Sequence, residues 1–224
     1  MVKGVIFDLD GVLLDSISHW MSLGENYVKF LGFDAVPNIR EILFSMSMEQ
    51  GAQWLRDTYH LNKSPECIKQ EMEDFLQDAY FNEILLKPGA YDLLTELHHR
   101  QIHFVAATSS PRKHVTKALE RNGVLNMFDA VFTNGEIGES KHSPLIYQIS
   151  AERLKAAPQD LFVFEDSLYA LKTAKNAGFH TVGIYDEAGE CNQTELEDEA
   201  QYYFESPLSF LSSLREGNIS EFMS

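Results

Sequence analysis

Residues 5–11 read Val5-Ile6-Phe7-Asp8-Leu9-Asp10-Gly11, an apolar run that stops at two carboxylates two positions apart. The run starts at Val2 and is rich in β-branched residues. It predicts a strand buried on both faces, the kind found inside a parallel sheet. In open parallel sheets, ligands bind beyond the carboxyl ends of the strands, so Asp8 and Asp10 fall where chemistry is expected. An extended backbone points both side chains toward the same side.

Outward from this strand the period changes. From Ser16, Trp20, Leu23, Tyr27, Phe30 and Leu31 share one helical face, and Gly32 supplies the stop. Ser47 caps a second helix with Met48, Ala52, Leu55 and Tyr59 as its apolar stripe. Ser64-Pro65 opens a third, with Ile68, Met72, Phe75, Leu76 and Ala79 inward. After Lys87-Pro88-Gly89, helices at 91–99, 114–121, 145–154 and 168–177 precede strands at 102–108, 130–133, 161–165 and 180–184, and 202–204 reads as a last strand. Alternation of this kind means an α/β fold, a parallel sheet with helices on both faces. The expectation is a core of residues 1–15 and 87–224 interrupted by a helical insertion, 16–86.

Composition narrows the classes of partner. The 224 residues carry 34 Asp+Glu against 18 Lys+Arg, a formal charge of −16, with 44% apolar residues. That length suits a domain of about 150 residues with a smaller insertion. The acidic excess repels phosphate backbones and anionic lipid, so no nucleic acid and no membrane is expected as a partner. Cys67 and Cys191 are far apart and outside any C-x-x-C pattern, which fits reduced thiols in a cytoplasmic protein and no bridge. The early apolar stretch is broken by Asp8, Asp10 and Asp15 before it could act as a signal core. The sequons at Asn192-Gln193-Thr194 and Asn218-Ile219-Ser220 are read as accidental surface triplets.

Four strand ends carry the remaining chemistry. Asp8 and Asp10 need a counter-charge, and a hard divalent cation such as Mg²⁺ suits carboxylate oxygens while keeping positions open for a phosphate oxygen and water. Glu165-Asp166, after the fourth strand, is a second acidic pair able to complete that site. Thr108-Ser109-Ser110 offers a hydroxyl and turn amides just before a helix, favourable ground for an anion. Lys141, after the third strand, supplies positive charge to screen a phosphoryl group. Each feature also has an ordinary reading as a cap, a turn or a surface lysine. Their occurrence at successive strand ends joins them into one phosphoryl-transfer site.

These residues resemble the haloacid dehalogenase-like hydrolase superfamily, in the subgroup with β-phosphoglucomutase and phosphoglycolate phosphatase-like enzymes. The resemblance rests on Val5-Ile-Phe-Asp-Leu-Asp-Gly-Val-Leu13, Val105-Ala-Ala-Thr108, Lys141 followed by Pro144, and Val163-Phe-Glu-Asp-Ser167. It implies a Rossmann-like core with strand order 5-4-1-2-3 and a mobile helical cap. It further implies Asp8 as nucleophile forming an aspartyl-phosphate and Asp10 as general acid and then base. Mg²⁺ would be held by Asp8, the Asp10 carbonyl and Asp166, with Glu165 helping, and phosphoryl would be bound by Thr108, Lys141 and amides near Leu9 and Ser109.

The resemblance also separates chemistries. An alkoxide leaving group needs a proton and a halide does not, so a carboxylic acid at Asp10 favours phosphate esters. The mutase branch usually carries an arginine between cap helices and a histidine early in the first. Here the loop reads Phe44-Ser-Met-Ser-Met-Glu49 with no basic residue, and Trp20 follows the candidate His19. The third motif departs too, with His142-Ser143 between Lys141 and Pro144, altering the loop rather than the charge. Met46, Met48, Trp54 and Met72 are read as packing rather than a pocket. His98-His99-Arg100 suits a helix C-terminus rather than a metal. The expectation is a Mg²⁺-dependent phosphatase of a small phosphorylated metabolite, a monomer or weak homodimer. A β-phosphoglucomutase-like isomerase and a non-catalytic phospho-ligand module are the alternatives.

Overall fold

The computed structural model describes residues 2–44, 46–189 and 191–222. In chain order, β1 (Gly4–Phe7) precedes four helices, α1 (Ile17–Phe30), α2 (Ile39–Phe44), α3 (Met48–Tyr59) and α4 (Pro65–Asn82). Then come α5 (Ala90–His99), β2 (His103–Thr108), α6 (Arg112–Arg121), β3 (Ala130–Thr133), α7 (Asn134–Ile137) and α8 (Leu145–Leu154). The chain continues with β4 (Leu161–Glu165), α9 (Leu168–Asn176), β5 (His180–Ile184), α10 (Gln193–Glu199), β6 (Tyr202–Phe204) and α11 (Pro207–Arg215). Two compact units result, Met1–Asp15 with Ile84–Ser224, and Ser16–Glu83.

The first unit is built on a parallel sheet of order β3-β2-β1-β4-β5-β6. Its first five strands stand in the expected 5-4-1-2-3 order, and β6 lies on the outer edge of β5. Strand β1 sits between β2 and β4, and all four of its residues are buried, which accounts for its unbroken apolar reading. In register, Ile6 stands opposite Val105 and Val163, so the three share a face. They pack there against Ile146, Tyr147 and Ala151 of α8. On the other face Phe7 meets Phe164 at 4.7 Å between ring centroids, and Phe164 meets Phe210 of α11 at 4.8 Å. Each such buried side chain contributes about 1.5–3 kcal/mol, so the central strands are held from both sides.

The second unit is helical, with four helices where the periodicity indicates three. The extra one, α2, has only six residues, too few for a readable stripe. Helix α3 opens on a capping box between Ser47 and Gln50, and Ser64 caps α4 with Pro65 in its first turn, as their sequences predict. Ser45 of the preceding loop lies outside the described residues. The Tyr27 hydroxyl of α1 donates to Glu71 of α4 at 2.5 Å, and Trp20 Nε1 donates to the Tyr80 hydroxyl at 3.0 Å. Phe30, expected on the buried face of α1, is 71% exposed; as the last residue of the helix it meets Phe75 in a T-shaped ring pair.

The two linkers that bound the insertion run together within the sheet unit. Asp15 N–H donates to the Leu85 carbonyl at 2.9 Å, and Leu14 forms an antiparallel bridge with Leu86. Residues 84–86, read from sequence as part of the insertion, therefore group with the sheet. Gly89 then starts α5 at φ 80°, where a Cβ would come within 2.5 Å of Leu208, so close backbone approach requires glycine there. Among the described residues no helix is long and apolar enough to cross a membrane.

Candidate active site

Three strand ends converge. Asp8 follows β1 directly, Thr108 ends β2, and Glu165 ends β4 with Asp166 next; all four are buried. The parallel register makes this obligatory, because β1 is paired with both β2 and β4 and the three chains leave the sheet side by side. Gly11, at φ 76°, turns the chain immediately after Asp10, a conformation that favours glycine.

Lys141 is carried in by the loop after α7. Its Nζ lies 2.6 Å from Asp8 Oδ1 and 2.7 Å from Glu165 Oε1. Glu165 Oε1 also accepts from the Tyr147 hydroxyl at 2.7 Å, whereas Glu165 Oε2 is buried with no hydrogen-bond partner. An orphaned carboxylate oxygen in a dry site is costly unless a cation or water meets it. Asp8, Glu165 and Asp166 each offer an oxygen, and these lie within 4.8 Å of one another.

The electrostatics follow from this crowding. Burial pushes the Asp8 carboxyl up to about 8, the nearby Lys141 ammonium opposing and the Glu165 and Asp10 carboxylates adding to the rise. Burial and the charges of Asp8 and Glu165 also raise Asp166. Burial opposes the charge on Lys141, but the Asp8 and Glu165 carboxylates outweigh it and hold the ammonium charged. Three carboxylates and one ammonium leave two formal negative charges, which a divalent cation cancels. The all-oxygen donor set and the orphaned Glu165 Oε2 thus fit a hard cation.

Asp10 is handled differently. Its carboxylate is not among the three that could share a cation, and it accepts from Ser110 Oγ at 2.6 Å, with the Thr108 hydroxyl at 3.4 Å. Ser110 N–H in turn donates to Thr108 Oγ1 at 3.0 Å, so the turn after β2 fixes the second aspartate. Ser109, its sequence neighbour, is exposed and accepts from Asn134 Nδ2 at 2.8 Å. The structure thus brings Asp8, Asp10, Thr108, Lys141, Glu165 and Asp166 to one end of the sheet. Two participants have no role assigned from sequence: Ser110, which lies in the Thr108–Ser110 stretch but is not distinguished there from Ser109, and Tyr147, whose only signal is a hydroxyl on an otherwise buried helix face.

A parallel α/β sheet with buried carboxylates, a lysine and hydroxyls at its strand ends defines an enzyme of acid-rich active site. The chain belongs to the haloacid dehalogenase-like hydrolase family, which it matches over residues 5–184. It is 24% identical over 181 residues to a phosphorylated carbohydrates phosphatase of Thermotoga maritima, covering 81% of this chain and 84% of the relative. It is 27% identical over 195 residues to a phosphoglycolate phosphatase of Vibrio vulnificus, covering 82% and 83%. Among solved structures, a candidate β-phosphoglucomutase from Thermotoga maritima superposes with a TM-score of 0.84 at 24% identity, covering 96% of this chain and 99% of that one.

Proposed function

We propose that the protein is a Mg²⁺-dependent phosphatase that hydrolyses a small phosphorylated metabolite, of the sugar phosphate, phosphoglycolate or nucleotide monophosphate class, through an aspartyl-phosphate on Asp8. The observation that carries this reading is the division of labour between the two aspartates. Asp8 is buried against Lys141 among clustered acids, while Asp10 is held by hydroxyls outside that cluster. One suits a nucleophile and the other a proton carrier.

Asp8, Asp166 and the Asp10 carbonyl would hold the cation, with Glu165 Oε2 available to help. Bound there, Mg²⁺ offsets the repulsion between an anionic nucleophile and an anionic phosphoryl group. Lys141 has two N–H groups on Asp8 and Glu165, leaving the third for a phosphoryl oxygen. Thr108 and the turn at Ser109 supply further donors. An Asp8 oxygen attacks phosphorus, the bond to the leaving oxygen breaks, and Asp10 gives that oxygen a proton. Asp10 then takes a proton from water, the water oxygen attacks phosphorus, and the Asp8–phosphorus bond breaks to release inorganic phosphate. The acid also argues against a purely ligand-binding module, which has no use for it.

In this reading the protein is a cytoplasmic enzyme acting as a monomer or weak homodimer. Phosphate release over a panel of phosphorylated metabolites, with Mg²⁺ and then with chelator, tests the proposal; activity lost in chelator is expected. Incubation with β-glucose 1-phosphate and a trace of the bisphosphate separates the mutase alternative: glucose 6-phosphate outpacing free phosphate would overturn hydrolysis.

A further inference from the structure

Away from the reacting groups, the sheet unit buries one more ion pair. Lys87 Nζ lies 2.9 Å from Asp186 Oδ2, with the two side chains only 9% and 8% exposed. The same Nζ donates to the Gly11 carbonyl at 2.8 Å and to the Tyr185 carbonyl at 2.8 Å. Those three acceptors satisfy the three N–H groups of the ammonium. Gly11 lies in the loop after β1, one residue beyond Asp10; Tyr185 and Asp186 open the loop after β5. Strand β4, which ends at Glu165 just before Asp166, stands between β1 and β5 in the sheet. Lys87 therefore ties together the two loops that flank Asp166.

Asp186 shapes its own loop as well. Its Oδ1 accepts from Ala188 N–H at 3.0 Å, a turn that brings Gly189 to the acidic centre. A Cβ on Gly189 would sit 3.4 Å from Asp166 Oδ2 and 3.2 Å from Asp186 Cβ. Replacing a buried ion pair with apolar side chains is often neutral or stabilising, so stability alone gives a weak reason to keep one here. Spacing is the stronger reason, since groups that orient metal-binding side chains govern metal affinity strongly.

We infer that Lys87 and Asp186 are a positioning pair that holds the β1 and β5 loops at a fixed spacing around Asp166 and thereby sets the cation affinity of the centre, without touching substrate. This rests on the proposed Mg²⁺ site. Geometry and bare charge predict opposite outcomes for Lys87→Met. Removing one positive charge and leaving Asp186 negative would tighten cation binding on electrostatics alone, whereas loss of the clamp loosens it.

The test is calorimetric titration of the full chain with Mg²⁺, together with turnover of p-nitrophenyl phosphate at saturating Mg²⁺. Lys87→Met is expected to weaken Mg²⁺ binding at least about tenfold and to lower kcat, with KM within about twofold. The double variant Lys87→Met/Asp186→Leu, which removes the clamp without changing the net charge, is expected to weaken Mg²⁺ binding by about threefold or more, and it decides the matter if Lys87→Met does not fold. Tighter or unchanged Mg²⁺ binding in the folded variants, with only a lowered melting temperature, would overturn the inference. Wild-type protein that binds no Mg²⁺ would overturn both the inference and the proposed Mg²⁺ chemistry, whereas normal wild-type binding with unchanged variants overturns the inference alone.

Discussion

Ser110 Oγ donates to Asp10 Oδ2 at 2.6 Å, so the turn after the second strand orients the carboxyl group that follows the first. Ser110→Ala removes that donor. The expected result is a fall in kcat of roughly ten- to a hundredfold with little change in KM, as for a misplaced proton carrier. The fall should be smaller with p-nitrophenyl phosphate than with an alkyl phosphate, because a good leaving group needs less protonation. An equal loss on both substrates would detach Ser110 from proton transfer.

Asp8→Asn keeps the shape of the proposed nucleophile and removes its charge. Turnover should drop by at least about 10⁴-fold. The same change takes one like charge out of a buried acidic centre, so the cation-free variant should melt above the wild type in a chelator. Phosphate release that persists in a pure sample would remove Asp8 from the chemistry.

In the absence of a cation, stability should depend on pH in an unusual direction. Burial lifts the Asp8 carboxyl from 3.8 to about 8, and Asp166 is raised as well. The folded chain then keeps protons that the unfolded chain has released, so stability falls as pH rises. This contribution is whole below 3.8 and is lost as pH passes through about 8. Binding of Mg²⁺ expels those protons, and its stabilising effect should grow over the same range. Melting midpoints in chelator and in Mg²⁺ between about pH 5.5 and 8.5 check the sign.

Tyr147→Phe deletes the buried hydrogen bond to Glu165 at 2.7 Å and a longer contact with the Ala170 carbonyl at 3.5 Å. Bonds to charged groups contribute about 1.5–3 kcal/mol, and a loss of that size is expected in denaturant titration. Lys141 still meets Glu165 Oε1, so activity at saturating Mg²⁺ should fall less than in Asp8→Asn. A stability change near zero would show that water replaces the hydroxyl.

The sheet is legible because its signal is local: β1, β2 and β4 are apolar runs that end at Asp8, Thr108 and Glu165, and each is buried apart from His103 at the start of β2. Helix α2 is not, since Ile39–Phe44 is too short to show a period. Helix α10 is seven residues long and buries only Leu196, so no stripe marks it, and α11 lies beyond the last strand, outside the alternation. Within the site, residue types at strand ends are readable, but contacts are not. Whether Ser109 or Ser110 faces Asp10 depends on turn dihedrals. Lys87 and Asp186 are 99 positions apart, and neither has a periodic or motif partner to betray the pair.

The bridge between Leu14 and Leu86 closes the inserted segment at its base. To the sheet, the intervening helices are equivalent to one surface loop, and a longer or shorter loop costs little entropy once its ends are fixed. The segment can therefore be resized or exchanged at little cost to the sheet, while the strand ends that carry Asp8, Thr108 and Glu165 stay where they are.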